Sequence, residues 1–336
     1  MKLTLLLLSA GLCGLAFAPA SAQESKTVPP RPKIIGVSHA AFFVSDMAKA
    51  RAFYEGFLGF QSPFSIPRPK GGDLVWIKIN DHQSVELFPG SEVAPDADRL
   101  YHIAFEVEDA DAMLAYLRAK GVAGLPAAAT SPVGKIGNKN FTIKDPAGNG
   151  VEFVQYMPDG WTLREKGKFL PDTRISKRMS HVGVMVGSLD ASLKFYGDLL
   201  GCKEIWRGGA GPTLSWVNLR VPDGEDYIEF MLYSKYPSTD RLRTMHHICL
   251  EVPDVEKAGE ILKGRPYPEG SKPSTPMKEG VNGKRQINYY DIDGTRVEVM
   301  EPGTYDGKPR PPSTAPAPVG EPKPAPDAPA AKPAKG

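Results

Sequence analysis

The chain has 336 residues, of which 41% are hydrophobic and 24% charged, with 34 Gly and 33 Pro. That is enough for two ordinary domains with cores of their own, and it excludes a coiled coil, a collagen or a wholly disordered chain. Lys2 and the segment after residue 302 together account for more than the net charge of +2, which leaves the part that folds near −1. No basic footprint of a nucleic-acid or anionic-lipid binder is present.

Residues 1–22 read as an export signal: Lys2, an apolar run from Leu3 to Ala18 broken by Gly11 and Gly14, then Ala20-Ser21-Ala22. The mature chain is expected to begin at Gln23, outside the cytoplasm in a periplasmic or secreted setting, with no membrane attachment once the signal is removed. Of the cysteines, Cys202 and Cys249 then remain, and their apolar surroundings predict small core residues rather than a disulfide.

Two segments match at a shift of 142 residues: Ser38-His39-Ala40-Ala41-Phe42-Phe43-Val44 and Ser180-His181-Val182-Gly183-Val184-Met185-Val186, each leading to a helix that ends in Gly59 or Gly201. A second pair, around His102 and His247, recurs at 145. The chain is therefore a duplication whose halves are each two modules of strand, helix and further strands. The first helix carries Ala50, Phe53, Tyr54, Phe57 and Leu58 at helical spacing, and its repeat carries Leu189, Leu193, Tyr196 and Leu200. Residues 110–120 and 255–263 are the helices of the second and fourth modules. Alternating runs over 74–79, 84–88, 141–144, 151–155, 215–221, 227–233, 287–291 and 296–300 predict the strands, with turns at Asp145-Pro146-Ala147-Gly148-Asn149 and Asp291-Ile292-Asp293-Gly294. This gives domains at 34–157 and 178–302, a polar connector at 158–177, and a Pro/Ala-rich tail over 303–336 expected to be extended and disordered.

Period-two alternation sets the aliphatic residues of each first strand on one face and its histidine on the other, among smaller side chains. The last strand of each module holds a glutamate inside an apolar run: Glu86, Glu152, Glu229 and Glu298. A buried carboxylate is costly unless compensated, and a cation compensates it. The order His39, Glu86, His102, Glu152 in the first half repeats as His181, Glu229, His247, Glu298 in the second. Two neutral imidazoles and two carboxylates suit a divalent ion of the Zn, Ni, Fe or Mn kind. The remaining histidines, His82 and His246, fall outside this set.

The phrases Ala52-Phe53-Tyr54-Glu55-Gly56-Phe57-Leu58-Gly59 and Asp145-Pro146-Ala147-Gly148-Asn149-Gly150-Val151-Glu152 resemble the recurrent module of the vicinal oxygen chelate superfamily, which includes glyoxalase I, extradiol dioxygenases and bleomycin-binding proteins. The resemblance implies an α+β fold of tandem βαβββ modules, with two domains that each curve a mostly antiparallel sheet around a metal cavity. It implies that the eight residues above are metal ligands. It also implies a glyoxalase-like isomerase or lyase in which the metal polarises two neighbouring oxygens of a small-molecule substrate, with Glu152 or Glu298 as general base. An extradiol Fe(II) dioxygenase built on His181, His247 and Glu298 is the alternative. There the family pattern wants a further histidine before the last strand and a tyrosine where this chain has Asn288. A third reading is a non-catalytic binding protein, whose relatives commonly lose the ligands that are all present here.

Overall fold

The structure is a computed structural model that describes residues 28–90, 93–94 and 97–322. The expected signal segment and the start at Gln23 lie outside these residues.

The first domain begins with β1 (Ile34–Val44), α1 (Met47–Arg51) and a π-helical continuation over Ala52–Phe57, then β2 (Ser65–Pro67), β3 (Asp73–Lys78) and β4 (Ser84–Pro89). Its second module is β5 (Leu100–Val107), α2 (Ala110–Ala119), β6 (Lys139–Lys144) and β7 (Gly150–Gln155). Here one expected strand is reduced to a single bridge between Val133 and Lys139. After a connector bearing α3 (Trp161–Arg164), the second domain repeats the plan. It has β8 (Arg178–Val186), α4 (Leu189–Ser192) continuing as π-helix over Leu193–Leu199, β9 (Lys203–Gly208), β10 (Trp216–Arg220) and β11 (Tyr227–Leu232). The series closes with α5 (Thr239–Met245), β12 (His247–Glu251), α6 (Val255–Lys263), β13 (Lys278–Glu279), β14 (Arg285–Tyr290) and β15 (Arg296–Met300).

Two curled mixed sheets result, ordered β2-β3-β4-β1-β5-β7-β6 and β13-β14-β15-β12-β8-β11-β10-β9. In each, the first and last strands of a module pair in parallel, while the two modules meet antiparallel along their first strands. The four strands that carry histidine and glutamate are thereby brought to the middle of each sheet.

The predicted helices of the second and fourth modules form as α-helices, while the first helix of each domain forms but turns π-helical along its length. Leu58 N donates to Phe53 O at 2.9 Å and Leu200 N to Phe195 O at 3.1 Å, five residues back in each case. Phe53, Tyr54, Phe57 and Leu58 are all buried along this segment. Gly59 and Gly201 follow at φ 80° and 81°, and a Cβ at Gly59 would stand 2.2 Å from Thr173 O, so glycine is required there.

One apolar core runs through both domains, from Ile34, Phe42 and Phe105 to Val182, Phe230 and Val299. The repeats lock reciprocally. Tyr196 OH, on the helix of the second domain, donates to Asp145 Oδ2 in the turn of the first at 3.0 Å, and Phe57 stacks edge-on against Tyr289 at 5.2 Å. Cys202 and Cys249 are buried and unbridged, as expected. No helix among the described residues is long and apolar enough to cross a membrane.

The disordered tail is corrected over 303–322, although its extended form holds. Ser313 N donates to Arg207 O at 2.9 Å and Leu214 N to Pro316 O at 2.9 Å. Beyond them Glu321 N donates to Ser234 O at 2.9 Å, and Ala315 and Ala317 pack on the core. Proline fixes φ in advance, so ordering this stretch costs less entropy than ordinary chain, and β9 offers an edge to pair with.

Candidate metal centre

Strand register builds the site. His39 stands opposite Ala104 and Ala41 opposite His102 across β1 and β5, while the parallel partners of Ala41 and Ala104 are Glu86 and Glu152. The small side chains between the four ligands leave room for them to converge. In the second domain the corresponding places are Gly183 and Cys249, beside Glu229 and Glu298. Gly183 is needed for space, since a Cβ there would lie 1.9 Å from His247 Cε1.

All eight predicted residues are brought to the centres of the two concave faces, four to each. In the first domain His39 Nε2 is 2.9 Å from His102 Nε2, 3.5 Å from Glu86 and 3.8 Å from Glu152. His102 Nε2 is 3.8 Å from Glu86 and 3.5 Å from Glu152. Donors about 2.1 Å from one ion stand about 3.0 Å apart at right angles and about 3.4 Å apart at the tetrahedral angle; His39, His102 and Glu152 come near that spacing, with ligand atoms all within 4.8 Å of one another, and Glu86 flanks them. The second set is similar: His181 and His247 Nε2 are 3.1 Å apart, with Glu298 3.4 Å from His181 and Glu229 3.4 Å from His247.

A hydrogen-bond chain decides which nitrogen of His39 carries its proton. Tyr156 OH donates to the His82 carbonyl at 2.9 Å, so its oxygen accepts from Ser38 Oγ at 2.7 Å. Ser38 Oγ, its proton committed, accepts from His39 Nδ1–H at 2.9 Å. The Nε2 lone pair therefore faces Glu86, His102 and Glu152. His247 is set the same way by Nδ1–H donating to Met245 O at 2.8 Å, whereas Ser180 is 3.5 Å from His181.

Electrostatics of the first set call for a cation. Burial pushes Glu86 well above the usual carboxylate range, helped by Glu152, and lifts Glu152 to about 8 against the hydrogen bond from Thr142. Burial and then His102 lower His39, and burial with Lys144 brings His102 to about 3. Two neutral imidazoles and two costly carboxylates are what a divalent ion relieves.

The second set is compensated from within. Burial raises both of its carboxyls, but His247 and His181 lower Glu229 by more, and His181 with the charge of Arg296 lowers Glu298 by more. Arg296 Nη2 lies against His247, 2.7 Å from Nδ1 and 2.9 Å from Nε2, where the first domain has Gly150 beside His102. Tyr227 stacks on His181 with ring centres 4.5 Å apart, where the first domain has Ser84. Met185, two pleats beyond His181, and Met231, one pleat beyond Glu229, pack with Leu242 and Met245 of α5.

A cavity of about 590 Å3 opens onto His39, Glu86, His102 and Glu152. Ile66, Leu74, Trp76, Phe88 and Ile136 form its apolar wall, and Asn138, Asn140, Thr142 and Tyr156 its polar one. Of the histidines outside the sets, His82 pairs with Glu106 at 2.9 Å and buried His246 lies 3.1 Å from Asp98. Ser38, Tyr156 and Arg296 are the site residues that sequence reasoning missed. The repeated Ser-His pair was a usable sign for Ser38. Tyr156 has Pro302 as its repeat position, so no pattern marks it.

The model of the Glyoxalase/Bleomycin resistance protein/Dioxygenase superfamily matches residues 36–153 and 178–299, and the chain belongs to that family. Uncharacterized protein YaeR of Escherichia coli (strain K12) is 33% identical over 129 residues, covering 35% of this chain and 95% of that protein. Mitochondrial methylmalonyl-CoA epimerase of Homo sapiens is 29% identical over 98 residues, 26% of this chain and 56% of that enzyme. Among solved structures, a single-site mutant of homoprotocatechuate 2,3-dioxygenase from Brevibacterium fuscum aligns with TM-score 0.59 at 18% identity, covering 85% of this chain and 77% of that one. The Mn(II)-bound glyoxalase from Novosphingobium aromaticivorans gives 0.59 at 19%, covering 80% and 83%. At these identities the structural likeness speaks for the fold, which is the one the sequence implied.

The proton chain makes Tyr156 a positioning residue for His39. Tyr156→Phe removes the acceptor for Ser38 and frees His39 to change tautomer, so Mn(II) affinity measured by competition with a chelator is expected to fall about tenfold or more. Unchanged affinity would show that the chain does not set the ligand.

Proposed function

We propose that the first domain is a divalent-metal active site of the glyoxalase-like kind, which moves a proton on a small substrate presenting two neighbouring oxygens. The observation that carries this reading is the cavity of about 590 Å3 ending on a converged His2Glu2 set. When bound, the ion supplies Lewis acidity, drawing electron density from the substrate oxygens so that a neighbouring C–H loses its proton more readily. Glu152, at the cavity floor beside the other three side chains, is suited to take that proton as a carboxylate and return it. His39, Glu86 and His102 hold position, and the wall of Trp76, Phe88 and Ile66 excludes water from the reacting atoms. The likeness to an epimerase supports the same class of chemistry.

Asn288 faces Glu298 across β14 and β15, in the second set, where the dioxygenase alternative wants a tyrosine. That domain is accordingly read as the partner that completes the core, with a weaker metal site because Arg296 opposes a second cation.

Glu152→Gln keeps the size of the side chain and one oxygen but removes the base. Turnover on a panel of methylglyoxal–thiol adducts and 2-hydroxy acids is expected to fall about 100-fold or more, with most of the metal retained. Glu298→Gln is expected to leave turnover within about twofold, since the second set does not carry the reaction. Oxygen-dependent cleavage of a catechol, lost in His247→Ala, would overturn the assignment.

Export completes the proposal. The intact mass of protein recovered outside the cytoplasm is expected to begin at Gln23, and retention of residues 1–22 in a membrane pellet would contradict it.

A further inference from the structure

The mouth of the first-domain cavity has a charge pattern that its floor does not explain. Arg68, Lys70 and Lys135 line it, and among the described residues the carboxylates that line the same cavity are Glu86 and Glu152 at the floor. Lys70 and Lys135 make no ion pair or hydrogen bond to a carboxylate among the described residues. Nearby cations are committed elsewhere, as Lys139 is to Asp111 at 2.6 Å. The Arg68 guanidinium carbon stands 4.9 Å from the centre of the Phe88 ring, which holds the cation over the cavity wall. The folded part of the chain is close to neutral, so Lys70 and Lys135 at one opening are a local feature rather than an overflow of net charge. Between mouth and floor the wall is Ile66, Leu74, Trp76 and Phe88, with Ile136 opposite the same space.

We propose that the substrate is an organic anion of three parts: two vicinal oxygens at the floor, an apolar body along the Trp76–Phe88 wall, and a carboxylate or similar anionic group held at the mouth by Lys70 and Lys135. The inference rests on the reading of the floor as a vicinal-oxygen metal site and adds the charge and shape of what enters. Cations at a mouth raise the local concentration of an anion and slow its escape, and they do so in a salt-dependent way. A neutral dicarbonyl or its uncharged adduct uses the floor and wall but leaves the charges of Lys70 and Lys135 unused.

The test uses the full mature chain loaded with Mn(II) under argon, so that binding is measured without turnover. Two probes share a catechol head and an aromatic body: 3,4-dihydroxyphenylacetate, which has an anionic tail, and its neutral amide, 3,4-dihydroxyphenylacetamide. Quenching of tryptophan fluorescence is expected to show the acid binding about tenfold more tightly than the amide at low ionic strength, with the gap closing at about 0.5 M salt. In the Lys70→Gln/Lys135→Gln double variant the preference is expected to drop to near one, while metal content and amide affinity stay as in the parent protein. Equal affinities in the parent protein, or a preference that survives the double variant, would overturn the inference and leave the metal site standing. A chain that takes up the metal but binds neither probe would count instead against the vicinal-oxygen reading, and the inference falls with it.

Discussion

Everything at the candidate site follows from placing two imidazoles and two carboxylates, buried or nearly so, on the inside of a curled sheet with each imidazole within 4 Å of both carboxylates. Such a group is unfavourable by itself, because the carboxylates resist ionisation and the two Nε2 atoms of the first domain approach to 2.9 Å. The fold tolerates it by setting Ala41 and Ala104 between the ligands and by fixing the proton of His39 through Ser38 and Tyr156. A divalent cation is the species that turns the cost into binding energy.

Duplication supplies an internal control for this argument. The two halves share strand order, the π-helical turn, the glycine cap and the ligand order, yet the flanks differ at matched positions. Ser84 and Gly150 leave space beside His39 and His102, whereas Tyr227 and Arg296 fill the equivalent space beside His181 and His247. A guanidinium in contact with a ligand histidine has no counterpart in the first set, where Gly150 takes its place. Tyr196 on Asp145 and the stacking of Phe57 on Tyr289 bind the unequal halves into one core, so the second domain contributes stability to the first whatever its own chemistry.

Much of this was legible in the sequence, for identifiable reasons. The repeat at His39 and His181 exposes the duplication, period two assigns the faces, and a glutamate inside an apolar run marks each last strand. Other features depend on contacts between segments distant in the chain. The π-helical register of Ala52–Phe57 is not encoded in the local apolar periodicity, whose spacing fits an ordinary α-helix. The docking of 313–321 was missed because composition describes what a segment can bury alone, and here β9 and the core provide the partner. Tyr156 and Arg296 act through neighbours across the sheet, and neither occupies a repeated position of matching chemistry. The mouth cations Lys70 and Lys135 lie on loops 65 residues apart and meet only once the cavity closes around them.

The central claim, that the first domain gathers His39, Glu86, His102 and Glu152 around one divalent ion, is tested most directly by anomalous diffraction from crystals of the mature chain grown with Mn(II). The account predicts an anomalous peak between the two Nε2 atoms of His39 and His102, within about 2.3 Å of each and of both carboxylates. A chain that binds manganese in solution, with no peak among these four side chains, would contradict it.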